Sequence, residues 1–204
     1  MSRCEDAVWA SLYDPLALAA PCRDRCLMAS SYDRRGGNHD WSNYLRVEGN
    51  EAVLMDADGP GVIVRIWTAD PQHGLLRIYL DDAREPTIVA PFDRLFEQLP
   101  LSFGIGGESP ENYARSAAEG LAMGRTSYCP IPFRQRCRIT IEPEDDYLYY
   151  QVNWRRLPPD SRVETFVPKA APSPHAAAAA ELWSRWDQGA DLDAFRTEEQ
   201  TLEL

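Results

Sequence analysis

The sequence predicts an all-β fold, an antiparallel β-sandwich of jelly-roll type with short N-terminal helices and a C-terminal helix. Three observations carry this. Short stretches that alternate apolar and polar residues recur between residues 51 and 168, turn-forming residues separate them, and the excursions between them are too irregular for an immunoglobulin pattern. The chain divides into a helical segment over 1–29, the sandwich over 30–168, and a Pro/Ala-rich linker with a helix over 169–204.

Residues 4 to 20 have helical character in pieces, broken at Pro15 and ended before Pro21, because proline lacks the N–H that a continuing helix uses. The irregular stretch SSYDRRGGNHDW, residues 30 to 41, follows and is expected to lead onto the first strand. EAVLMDA (51–57) and GVIVRIWTA (61–69) read as strands joined by DGPG, whose Gly and Pro dictate a turn. LLRIYLDD (75–82) sets Leu76, Ile78 and Leu80 on one face with Arg77 and Tyr79 on the other, the period of a half-buried strand. PTIVA is a short fourth candidate, and FDRLFEQL (92–99) reads as one or two helical turns.

Residues 101–125 read as a loop. The GIGGES inside it lacks both the strand-to-helix setting and the lysine of a phosphate-binding loop. Strands resume with TSYCPIPF (126–133), CRITIEP (137–143) and YLYYQVNWR (147–155), the last two expected to form a hairpin across the acidic turn EPEDD. RVETFVP (162–168) is one further candidate strand. Past it a Pro-rich linker enters an Ala-rich helix, on which Trp183 and Trp186 share a face that needs a surface to pack on.

Composition narrows the function classes. A chain of 204 residues suits one domain or one and a half, and 44% hydrophobic residues suffice for a core. A net charge of −11 repels phosphate backbones and anionic lipid, which argues against nucleic-acid and membrane partners. No run approaches the roughly 20 apolar residues a membrane helix needs. In MSRCEDAVWASLYDPLALAAPC, acids follow the single early Arg and Asp14-Pro15 interrupt the apolar stretch, unlike a signal peptide. Five cysteines, an odd number, fit a reducing compartment, so the chain reads as cytoplasmic. Cys22 and Cys26, or Cys129 and Cys137, match no compact zinc spacing, and neither a metal nor another cofactor is expected.

The irregular stretch carries the chemistry. Gly36-Gly37 admits backbone angles barred to other residues and lets a ligand come close. Asp33, Asn38 and Asp40 accept hydrogen bonds, Arg34 and Arg35 donate, and Tyr32 and Trp41 offer flat apolar faces. A sugar asks for that combination. The same residues also suit a self-bonded loop that only tethers the N-terminal segment. Arg65 and Trp67 share one strand face, where the arginine either pairs with a carboxylate, Asp33 or Asp40 being candidates, or faces a ligand. No catalytic constellation is visible: the histidines lack a nucleophile in a recognisable frame, and no acid pair stands out for the separation a retaining glycosidase needs.

SSYDRRGGNHDW, DADGPGVIVRIW, LRIYLDD, and YCPIPFRQRCRITIE followed by YYQVNW stand in the order found in the DUF2961 proteins, classed as glycoside hydrolase family 172, and the chain resembles that family from about residue 15 to residue 168. The resemblance implies double jelly rolls that assemble as trimers and act on furanosides, such as fructofuranose or D-arabinofuranose glycans, by a retaining mechanism with two glutamates. It places Tyr32, Trp41, Arg65 and Ile66 along a sugar pocket, with Asp33, Arg34, Asn38 and Asp40 shaping the loop around it. It also implies that the glutamates belong to a second jelly roll, so that this chain is expected to be an incomplete enzyme without a catalytic residue of its own. The contrasting expectations are a non-catalytic carbohydrate-binding or oligomerisation module and a folded remnant with no ligand. Bare apolar faces predict self-association or a companion chain.

Overall fold

The computed structural model describes residues 4–19, 21–69, 74–104, 124–144, 147–168 and 174–187. Two antiparallel sheets face each other. The first contains β1 (Arg25–Ser30), β4 (Gly61–Thr68), β7 (Ser102–Gly104), β8 (Arg125–Ser127), β9 (Ile131–Phe133) and β11 (Tyr150–Arg156), in the order β1-β11-β4-β8-β7 with β9 also paired to β4. The second runs β2-β3-β10-β5-β6, formed by β2 (Arg46–Glu48), β3 (Glu51–Asp58), β5 (Leu75–Leu80), β6 (Ile88–Pro91) and β10 (Arg136–Glu142). Helices α1 (Cys4–Ala10), α2 (Pro15–Ala19), α3 (Phe92–Gln98) and α4 (Pro174–Asp187) complete the described elements.

Alternation places the core between the sheets. Leu76, Ile78 and Leu80 of β5 and Cys137, Ile139 and Ile141 of β10 are buried together with Ile63, Ile66, Phe133 and Val152 from the opposite sheet. Each such aliphatic or aromatic side chain stabilises the fold by about 1.5–3 kcal/mol relative to exposure. Outside the core, β5 and β10 carry Arg77 and Arg138, which pair with Glu51, Glu142 and Glu48.

The connections cross between sheets. DGPG takes the chain from β3 in one sheet to β4 in the other. Strands β10 and β11 likewise belong to different sheets, so they do not form the expected hairpin across EPEDD: β10 pairs with β3 and β5, while β11 pairs with β1 and β4. The physical reason is that both edges of β10 are already taken by β3 and β5, and EPEDD has no glycine for the primed turn that a tight hairpin favours.

Other expectations shift in detail. Residues 25–29, placed in the helical segment, form edge strand β1 together with Ser30, so the irregular stretch is entered from a strand as well as preceding one. TSYCPIPF is two short strands separated at Cys129-Pro130, and Pro132 sits in β9, which pairs on one side only, as a residue without an N–H must. RVETFVP makes no ladder. It runs over the sandwich with Val163 buried and the Phe166 N–H donating to the Pro132 carbonyl at 2.9 Å. GIGGES falls almost wholly on 105–123, outside the described residues, although Ser102–Gly104 just before it pairs as β7.

Helix α4 finds its surface on this chain. Trp183 packs against Tyr128 with ring centres 5.6 Å apart and planes tilted by 36°, and its indole N–H reaches the Leu12 carbonyl at 3.4 Å, while Tyr13 and His175 join by a 2.6 Å hydrogen bond. The Trp186 side chain lies outside the described residues.

Candidate functional site

At one end of the sandwich the chain leaves β1 and makes the loop of residues 31–45 before entering β2. This loop is built on its own polar groups. The Ser31 hydroxyl donates to the Asp40 carbonyl at 2.7 Å and accepts the Tyr150 N–H at 3.1 Å, fixing the loop to the start of β11. The Asp40 carboxylate accepts the Asp33 N–H at 2.7 Å, closing a ring between positions seven apart in the chain. Asp33 in turn accepts the N–H of Arg35 at 2.9 Å and its Nε at 3.3 Å. Donation from the Arg35 N–H and guanidinium outweighs the effect of burial and holds the Asp33 carboxyl below the ordinary range.

Asn43 closes the base. Its Nδ2 donates to the Ser31 carbonyl at 2.7 Å and to the His39 carbonyl at 2.6 Å, spanning both flanks. The Asn43 carbonyl accepts Arg34 Nη1 at 3.2 Å and the Tyr150 hydroxyl at 3.1 Å, and burial pushes the Tyr150 phenol up to about 12. Gly36 has a φ of 78°, in the region glycine enters freely, and a Cβ on Gly37 would lie 2.6 Å from an Asp33 carboxylate oxygen. The Gly-Gly pair therefore serves the turn over Asp33, not the approach of a ligand alone.

Much of this loop faces solvent. Tyr32 is 55% exposed with the Arg34 guanidinium 4.8 Å from its ring centre, and Arg34, Arg35, Asn38 and His39 are exposed, whereas Asp33 is only 7% exposed. Trp41 stacks between ring neighbours: His39 lies at 4.0 Å and Tyr147 at 5.0 Å with planes 6° apart. Of the loop residues singled out in the sequence, Tyr32, Arg34 and Asn38 present outward surface, Trp41 is half-buried within an aromatic stack, and Asp33 and Asp40 are internal braces.

Arg65 and Ile66 do not line one surface. Ile66 is 3% exposed and belongs to the core, while Arg65 points to the outer face of the same sheet. A bulge sets this arrangement. Asn153 pairs with Arg65 and Trp154 with Ile63, so Val64 is the extra residue, and Arg65 turns outward although it stands two positions from buried Ile63. The expected pairing with Asp33 or Asp40 is absent. Arg65 Nη1 donates instead to Gln151 Oε1 at 2.7 Å and Asn153 Oδ1 at 3.2 Å, and its guanidinium lies 5.7 Å from the Trp67 ring centre. Those amides occupy alternate positions of β11, and Ser30, the register partner of Gln151, lends its carbonyl to Arg34 Nη2 at 3.3 Å. The loop and the Arg65 face thus adjoin.

Sequence reasoning passed over Asn43, Gln151 and Asn153. The signal for the amides is legible in YYQVNW, two polar residues at a spacing of two on a strand, which the fold sets opposite Trp67 and Arg65. Asn43 had no comparable signal, because its role depends on carbonyls distant in the chain.

A groove lined by Tyr79, Asp82, Ala83, Arg136 and Arg138 lies at the opposite end. Its cations are committed already. Arg136 grips Asp56 through bonds of 2.8 and 2.9 Å and reaches Asp82, while Arg138 pairs with Glu48 and covers Tyr79. A ligand there would have to displace internal ion pairs, so the loop end is the stronger candidate.

No curated protein matches the chain. Residues 23–173 match the first β-sandwich domain of GH172, a span that begins just before β1 and includes the loop, the Arg65 face and both sheets, and on that match the chain belongs to the GH172 family.

Proposed function

We propose that this chain supplies the saccharide-holding end of a GH172-type protein acting on furanosides, fructofuranose or D-arabinofuranose glycans being the class the family resemblance suggests, with the bond-breaking carboxylates outside the described residues. The observation that carries this reading is a loop braced from within by Asp33, Asp40 and Asn43 that still turns Tyr32, Arg34 and Asn38 outward. Binding a flexible polyol loses less free energy when the receiving groups are already ordered.

The carboxylates support the separation of holding from cleaving. A glycosidase acid needs a raised pKa and a partner carboxylate about 5–5.5 Å away in a retaining enzyme. Among the described Asp and Glu with a resolved shift, Asp24, Asp33, Asp56 and Asp81 are all lowered by their hydrogen-bond donors. Each is a brace, not a proton source.

Titration with methyl arabinofuranoside and methyl fructofuranoside, followed by Trp fluorescence, tests the reading, with p-nitrophenyl furanosides as a check on turnover. Saturable binding that weakens in Tyr32→Ala, without turnover by this chain alone, is the expected result. A flat titration identical to that of Tyr32→Ala overturns it. Turnover lost on changing a single Glu within the chain would relocate the chemistry here.

A further inference from the structure

The described arginines of this acidic chain are mostly matched to carboxylates: Arg35 to Asp33, Arg46 and Arg136 to Asp56, Arg77 to Glu51 and Glu142, Arg138 to Glu48 and Arg155 to Asp24. Arg65 is different. Its hydrogen-bond partners, Gln151 and Asn153, are neutral, and its ring neighbour is Trp67. Both bonds leave from Nη1, so the Nε–Nη2 edge, the fork that grips a carboxylate in two parallel bonds, carries no acceptor among the described residues. The guanidinium is held in place by its other nitrogen, and Arg65 as a residue is half-buried.

The chemistry of the surroundings is one-sided. Gln151 and Asn153 turn their oxygens toward Arg65, which leaves their NH2 groups as further donors, and the Trp67 ring adds an apolar plane. A neutral sugar hydroxyl wants donors and acceptors together. This patch offers donors.

We propose that Arg65, braced by Gln151 and Asn153 and flanked by Trp67, is an anion-recognising subsite that takes a carboxylate borne by the saccharide ligand. The inference rests on the saccharide reading of the adjoining loop and specifies the ligand further: a sugar acid, or a glycan carrying one, with its carboxylate on the fork edge and its ring toward Trp67 and the loop. Charge-assisted bonds to a fixed guanidinium exceed neutral ones by an amount equivalent to roughly tenfold in affinity.

The test is calorimetric titration at low salt with D-galacturonate, D-galactose and methyl arabinofuranoside, on the wild-type chain, Arg65→Gln and Gln151→Glu. The last variant keeps the side-chain size but sets a carboxylate on Nη1, neutralising the site from within, so the idea does not hang on one substitution. Galacturonate is expected to bind about tenfold tighter than galactose, with the preference fading as salt rises and vanishing in both variants. Methyl arabinofuranoside binding with no preference for galacturonate over galactose overturns this inference and leaves the furanoside reading standing. An Arg65-dependent galacturonate preference without furanoside binding does the reverse. A preference that survives both variants, no binding of any probe, or self-association abolished by Arg65→Gln without galacturonate binding each overturns the proposal, the last by assigning the fork to a carboxylate of another chain.

Discussion

Replacing Asn43 should loosen the loop end more than the exposure of the loop suggests. The Nδ2 group donates to the Ser31 and His39 carbonyls at 2.7 and 2.6 Å, so Asn43→Ala removes two hydrogen bonds that together hold both flanks. At about 1 kcal/mol net for each, the loss is about 2 kcal/mol, or a fall of about 4–8 °C in Tm for a chain of this size. Asn43→Asp is the sharper perturbation. It is nearly isosteric, but at neutral pH it sets an anionic oxygen against two carbonyl oxygens, so the loss should exceed that of Asn43→Ala by about 1 kcal/mol or more. The introduced carboxyl can donate only when protonated, which raises its folded pKa above the unfolded value. Its excess penalty is therefore full above the folded pKa and shrinks as pH falls through it toward the ordinary range near 4. Urea unfolding followed by Trp fluorescence at pH 7 and pH 4.5, with Asn43→Ala as the reference at each pH, measures both quantities. Asn43→Asp no less stable than Asn43→Ala at pH 7, or a gap that does not narrow at the lower pH, refutes the reasoning.

Two further outcomes check the frame behind the site. Asp81 accepts the N–H groups of Arg134 and Gln135 at 2.8 and 2.7 Å and the Thr165 hydroxyl; burial alone would raise its carboxyl, but those donors outweigh burial and hold it below 3.8. Asp81→Ala should lose about 3 kcal/mol at pH 7, and because a lowered folded pKa gives stability that is present above the unfolded value and lost as pH falls through the folded one, the difference from wild type in urea midpoints should shrink below about pH 4. Gly61→Ala would place a Cβ 2.5 Å from Cζ of fully buried Phe133, so a loss of about 1–3 kcal/mol in the same assay is expected, and Phe133→Leu in the Gly61→Ala background should recover part of it.

What could be read from the sequence was what depends on near neighbours. The alternation in LLRIYLDD is a statement about adjacent residues, and β5 follows it, with Leu76, Ile78 and Leu80 inside. Arg65 and Trp67 were rightly placed on one face because they stand two apart on the same side of the bulge. The motif groups Ile66 with Arg65 by chain position, whereas a strand sends successive side chains to opposite faces and the Ile66 side chain enters the core. The EPEDD hairpin failed for a related reason: a short polar connection looks the same whether it turns within a sheet or crosses to the other one. The loop lay between these cases. Its residue types were legible, but whether Asp33 and Asp40 faced a ligand or each other depended on geometry that Ser31, Asn43 and Tyr150 supply from outside the motif.

That bracing has a chemical consequence that reaches beyond the loop. A carboxylate ordered by several N–H donors is stabilised in its charged form, and the same donors that make Asp33 a good brace make it a poor acid. A loop built this way gains rigidity in proportion as it gives up proton-donating capacity. A proton donor for glycoside cleavage needs the opposite setting, an apolar wall and few donors, which the loop cannot provide without losing its shape. Holding a saccharide and breaking its bond are therefore in conflict within this one short segment. A protein that does both is expected to hold the ring with a donor-rich surface such as this and to bring the acid from a different element.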